Sequence, residues 1–115
     1  MASKTEVKSF LEEMKANGST FGFLFADREK NHDTYLELQL TSKVREEVLK
    51  NLQPEDYCKG PEKNTEYGTN PMWIFGKELK GKEIYIKITI PLSKVICISF
   101  HIAEHSMTYP LKSFL

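Results

Sequence analysis

The stretch "GKEIYIKITIPLSKVICISFH", residues 81–101, decides the fold. Ile84, Ile86, Ile88 and Ile90 alternate with Tyr85, Lys87 and Thr89. Beyond Pro91, Ile96, Ile98 and Phe100 alternate with Cys97, Ser99 and His101. Successive side chains of a strand point to opposite faces, so this spacing predicts two adjacent antiparallel strands. Pro91 ends the first, and Ser93 and Lys94 belong to the turn. The isoleucine face is then a core. The other face carries Tyr85, Lys87, Thr89, Ser99 and His101 and is expected to be open.

Upstream, "MWIFGKEL", residues 72–79, has the same strand character. "KGK" at 80–82 is a hairpin turn in which Gly81 supplies the positive φ. The result is a three-stranded antiparallel meander over residues 72–101. "TFGFLFA", residues 20–26, is a candidate fourth strand, short and apolar, with Gly22 as its weak point.

The first half supplies helices. Ser3 and Glu6 form a capping box, and Val7, Phe10, Leu11 and Met14 follow at helical spacing. This predicts a helix over 4–16, ended near Gly18. "DREKNHD", residues 27–33, reads as a polar connector with a solvated His32. Residues 34–40, "TYLELQL", alternate like a strand. Thr41 or Ser42 caps a further helix through about Asn51, with Val44, Val48, Leu49 and Leu52 on one side. Residues 54–71 read as a long polar loop. It holds Tyr57 and Tyr67 among Lys59 and Lys63, a mixture that can stack on bases and meet phosphates. The fold class expected is α+β: N-terminal helices packed on one face of a small antiparallel sheet of three or four strands.

A chain of 115 residues fits one domain, 1–115. It has no apolar run of roughly 18 residues and no secretory leader pattern, so a cytoplasmic location without membrane contact is expected. Cys58 and Cys97 stand apart from each other and from any histidine cluster, which argues against a metal site. Basic and acidic residues balance at 16 each, but unevenly. Residues 1–57 carry 8 basic and 11 acidic side chains, and residues 58–115 carry 8 and 5. A positive half suits an anionic ligand such as nucleic acid.

The open face suits one chemistry. RNA cleavage without a metal or cofactor needs a base for the 2′-OH proton, an acid for the leaving 5′-oxygen, and cations for the charge on phosphorus. Histidine, with an ordinary pKa of about 6.5, suits the proton transfers. Lysines supply the electrostatic stabilisation, and tyrosine can hydrogen-bond phosphate or stack a base. No GxGxxG, GxxxxGK[ST] or GxSxG motif points elsewhere. The catalytic candidates are His101, Tyr85, Lys59 and Lys87. The RNA-binding candidates are Lys63, Tyr57, Trp73, Ser99 and Lys77.

"LQPEDYCKGP", "MWIFGKEL", "GKEIYIKITI" and "VICISFH", in this order, resemble the MqsR family of toxins from bacterial type II toxin–antitoxin pairs, over residues 35–101. "REKNHDT" and "SFHIAEHSMTYP" extend the likeness to one branch of that family. The resemblance implies a RelE-like fold and an mRNA interferase, an endoribonuclease that cuts mRNA and is neutralised by a cognate antitoxin protein. It implies a helix, not a strand, around residues 33–39. Of four family positions tied to cleavage, a lysine falls on Lys59 and a tyrosine on Tyr85. A glutamine position is Ile74 and a lysine position is His101, so base preference and the division of proton-transfer labour differ. Two other readings stand beside this one: a non-catalytic RNA- or protein-binding module of the same fold, and a small domain with no nucleic-acid role.

Overall fold

The computed structural model describes residues 1–63 and 70–112. Tyr67, a stacking candidate, lies outside them. The elements run α1 (Lys4–Phe21), β1 (Phe23–Phe25), α2 (Glu29–Leu38), α3 (Ser42–Lys50), β2 (Tyr57–Glu62), β3 (Met72–Leu79), β4 (Lys82–Thr89) and β5 (Val95–Ile102). The strands form one five-stranded mixed sheet in the order β1-β5-β4-β3-β2. The meander β3-β4-β5 is antiparallel as expected, but β1 pairs with β5 in parallel. The sheet therefore has one more strand than the expectation allowed, and mixed polarity.

The core lies between the helices and the isoleucine face. Val7, Phe10, Leu11 and Met14 of α1 and Leu49 of α3 are buried with Ile84, Ile86, Ile88 and Phe100. Phe10 stacks on Trp73, with ring centroids 4.7 Å apart. The capping box closes as the sequence predicted: Ser3 Oγ accepts from Glu6 N at 3.2 Å, and Ser3 N donates to Glu6 Oε1 at 3.0 Å. Thr41 caps α3 by accepting from Val44 N.

Four local expectations are corrected. The first helix does not stop near Gly18; it continues to Phe21, with Gly22 at its C-cap at φ 87°. Gly18 instead leaves room for the Phe23 ring, which any Cβ there would strike. The strand expected over 20–26 shrinks to Phe23–Phe25 because α1 takes Thr20 and Phe21. The connector expected at 27–33 is mostly the first turn of α2, and the alternation read in 34–40 lies on helix, as the family likeness implied. The loop expected over 54–71 contains β2, antiparallel to β3 and irregular in register.

A fifth correction concerns β5. Lys87 faces Ser99, yet Ile88 faces Cys97, so Ile98 is an extra residue in the ladder. Such a bulge reverses the alternation. Val95 and Cys97 therefore join the helix-side core, whereas the unbroken pattern put Cys97 on the open face. Beyond the bulge, Phe100 faces the core while Ser99 and His101 face away.

Past Cys97 no strand of the described residues lies beside the outer edge of β5, and α2 closes it with side chains. Asn31, fully buried, donates from Nδ2 to the carbonyls of Ile98 (3.1 Å) and Ala26 (3.2 Å) and accepts from Phe100 N at 2.9 Å. Thr34 Oγ1 accepts from Ile102 N at 3.0 Å. These bonds continue the ladder that β1 begins. They protect an edge that would otherwise expose main-chain groups, and they hold the start of α2 beside the open face. No helix among the described residues is long and apolar enough to cross a membrane.

Candidate functional site

On the face away from the helices, a cleft of about 790 Å³ opens over β3, β4 and β5. Its floor is Ile74, Tyr85, Lys87, Ser99 and His101. Arg28, Glu29 and Lys30 at the start of α2 form one wall, Cys58 and Lys59 of β2 another, and residues 104–108 a third.

Tyr85 and His101 are register partners across β4 and β5. Their rings stack with centroids 5.3 Å apart and planes 17° from parallel. His101 Nδ1 lies 2.9 Å from the carbonyl of Ile102. A carbonyl only accepts, so the proton sits on Nδ1, and Nε2 is left as the basic nitrogen of the neutral ring. Lys87 Nζ lies 5.8 Å from the Tyr85 ring centroid. The period-2 reading thus placed imidazole, phenol and ammonium together correctly.

The electrostatics favour an anion. Burial holds the Lys87 pKa below the ordinary lysine value, and the positive charges of Arg28 and Lys59 push it the same way, opposed by Glu62. Three cations held near one another lose this mutual repulsion when a phosphate enters. Burial raises the Tyr85 pKa, with Glu62 adding to the effect, so the phenol keeps the proton it would donate to an anion. Burial, followed by the charges of Glu83 and Asp56, pushes the Cys58 thiol up to about 12. Lys59 lies 3.7 Å from Glu62 in an exposed pair that contributes little stability by itself.

The other candidates fare differently. Ser99 is only 2% exposed, a part of the floor with little reach. Thr89 is fully buried, and its hydroxyl donates to the carbonyl of Pro71 at 3.1 Å. Tyr57 is buried in the core, where its hydroxyl donates to the Gly60 carbonyl and accepts from Ala2 N. Trp73 pairs with Ile88 and faces the helices. Lys77 pairs with Ile84, and its ammonium lies 3.2 Å from Asp56. None of these last three can reach the cleft. Lys63 is exposed just past β2 and is not among the described residues that line it.

Sequence reasoning missed Arg28 and Lys30. The charge was visible, but the packing of α2 on β5, with the Asn31 and Thr34 bonds, that brings this turn over the sheet was not. It also left the tail unplaced. The tail returns across Glu83, whose carboxylate accepts from Met107 N at 3.2 Å and from the Tyr109 hydroxyl at 2.6 Å. The Tyr109 ring lies against Gly76, where a Cβ would collide with it.

No family model, curated protein or solved structure matches this chain. The functional reading therefore rests on the cleft. Among the described residues, no group of three or more histidine, cysteine or carboxylate side chains is arranged to hold a metal.

Proposed function

We propose that this cleft binds single-stranded RNA and cuts it, as a metal-independent endoribonuclease of RelE-like fold and MqsR type, held in check by a cognate antitoxin. One observation carries the reading: the stacked Tyr85–His101 pair lies in the same cleft as Lys87, Lys59 and Arg28. His101 Nε2 takes the proton from a 2′-hydroxyl. The 2′-oxygen bonds to phosphorus, the bond to the 5′-oxygen breaks, and that oxygen takes a proton from the cleft. The products are a 2′,3′-cyclic phosphate and a free 5′-hydroxyl. Lys87, whose depressed pKa eases proton release, is the candidate acid. Lys59 and Arg28 balance the charge on the non-bridging oxygens, and Tyr85 donates to one of them.

Purified protein with RNA and excess EDTA is expected to give fragments ending in 2′,3′-cyclic phosphate. His101→Ala removes the base and lowers the rate about 10²–10⁴-fold. Tyr85→Phe removes one donor to a charged group and lowers it about ten- to hundredfold. Expression of the wild type arrests growth, and His101→Ala does not. Cleavage unchanged in both variants would overturn the site assignment.

The zero net charge favours a second reading, a binding module without cleavage, because a stand-alone ribonuclease benefits from a cationic surface. Intact RNA that nonetheless binds in the cleft would select it. An antitoxin would cover the cleft or add a strand at a sheet edge, β1 or β2.

A further inference from the structure

The cleft divides its labour between charge and hydrogen bonding. Its cations sit on β2, β4 and the start of α2, where they serve a phosphate backbone. Contacts to phosphate position a nucleic acid without reading its sequence, which is read at the base edges. On the floor, Ile74 is fully buried and offers no hydrogen bond, and Ser99 is almost fully buried. Tyr85 is committed to the stack with His101. On the third wall, Ser106 and Thr108 are exposed and uncharged, with the half-buried thioether of Met107 between them and His105 beside them.

This strip is held in place. Glu83 on β4 accepts from Met107 N and from Tyr109 on the next turn of chain, and the Glu83 main-chain carbonyl accepts from Ala103 N at 2.8 Å. Gly76 gives the Tyr109 ring its seat on the sheet. A single strand residue thus fastens the tail on both sides of residues 104–106.

We propose that the clasped tail segment 106–108 reads a base of the RNA bound in the cleft, with Ser106 and Thr108 as the specificity-determining residues and Glu83 and Tyr109 as their positioning residues. The inference rests on the RNA-binding reading of the cleft but not on cleavage. Met107 offers the base face an apolar, polarisable surface, and the two hydroxyls reach its edge. The bonds from Glu83 fix their distance from the His101–Lys87 floor.

The test uses four fluorescent homopolymeric hexanucleotides, of A, C, G and U, blocked by 2′-O-methylation so that none is cut. Wild-type protein is expected to favour one base over the weakest by about tenfold or more. The Ser106→Ala/Thr108→Val variant should lose about five- to tenfold of that preference, at one lost hydrogen bond or more, with the largest loss on the favoured hexamer and the smallest on the weakest. Tyr109→Phe, which keeps the ring against Gly76 and removes only the bond to Glu83, should reduce the preference in the same direction. Any merely structural loss would instead weaken all four hexamers alike. A wild-type preference that survives both variants overturns this proposal and leaves the RNA reading standing, as does binding with no preference at all. Wild-type protein that binds no hexamer overturns both.

Discussion

Asn31→Leu tests the joint between fold and cleft. Leucine keeps the branched shape of asparagine, and its larger methyl groups can only add to the loss at this fully buried site. It removes three hydrogen bonds and strands two main-chain groups, Ile98 O and Phe100 N, in the interior. A buried polar group left without a partner costs about 1–3 kcal/mol. Two such groups, with partial relief by local shifts, give about 3–5 kcal/mol. A domain of this size has roughly 5–15 kcal/mol in total, so the variant should be close to its threshold. With a urea slope of about 1–2 kcal/mol/M, the midpoint followed by circular dichroism should fall by about 1.5–5 M. Asn31→Asp keeps the acceptor for Phe100 N but turns a carboxylate toward two carbonyls, so it should be at least as damaging. Thr34→Val, which strands Ile102 N alone, should cost about 1–2 kcal/mol. A loss below about 1 kcal/mol in Asn31→Leu would refute the idea that this side chain replaces a strand at the edge of β5.

Other outcomes follow from the same geometry. At pH 9 an ordinary thiol is about half ionised, but Cys58, pushed up to about 12, is almost wholly protonated, so iodoacetamide should label it about two to three orders of magnitude more slowly in the folded protein than after denaturation. Because its folded pKa lies above the unfolded one, the stability linked to Cys58 is intact below about pH 9 and is lost as pH rises toward 12, and Cys58→Ser should flatten that decline. Gly18→Ala places a methyl group in the Phe23 ring and should destabilise by about 1–3 kcal/mol in thermal unfolding, although alanine is the better helix former. Lowered Lys87 ionisation implies that RNA binding weakens with rising pH before an ordinary lysine would titrate, and Lys87→Arg should move that decline upward in an anisotropy titration.

The meander was legible because one buried face forces a strict period of two, and the hairpin at Lys80 and Gly81 had its turn residues in view. Helix α1 was legible from its cap and apolar stripe. Helix α2 hid because two of its three buried positions, Asn31 and Thr34, are polar and only Leu38 is apolar, so no stripe marks it. The bulge at Ile98 hid because "VICISF" keeps an apparent alternation through an inserted residue. Strand β2 hid behind Gly60 and Pro61, which spell a loop. At the site, Tyr85, Lys87 and His101 were readable since strand register alone places them. Lys59 stood out among the lysines and tyrosines of its polar segment, and the family likeness fell on it as well. Arg28 and the tail depend on contacts across the chain that no local pattern encodes. Trp73 and Lys77 were named for RNA by residue type although the parity of β3 turns them to the helix side, and Tyr57 was named in what read as a loop, where no parity was in view.

The central claim is that one phosphodiester lies within reach of His101, Tyr85, Lys87 and Lys59 together. Titrating a 2′-O-methyl tetranucleotide into isotope-labelled protein and following the side-chain resonances by NMR tests it directly. The account predicts saturable shifts at His101 Nε2, at the Tyr85 ring and at Lys87 Nζ, with none at Trp73 Nε1 or Lys77 Nζ. Shifts confined to Trp73 and Lys77, or none at His101 under saturating oligonucleotide, would contradict it.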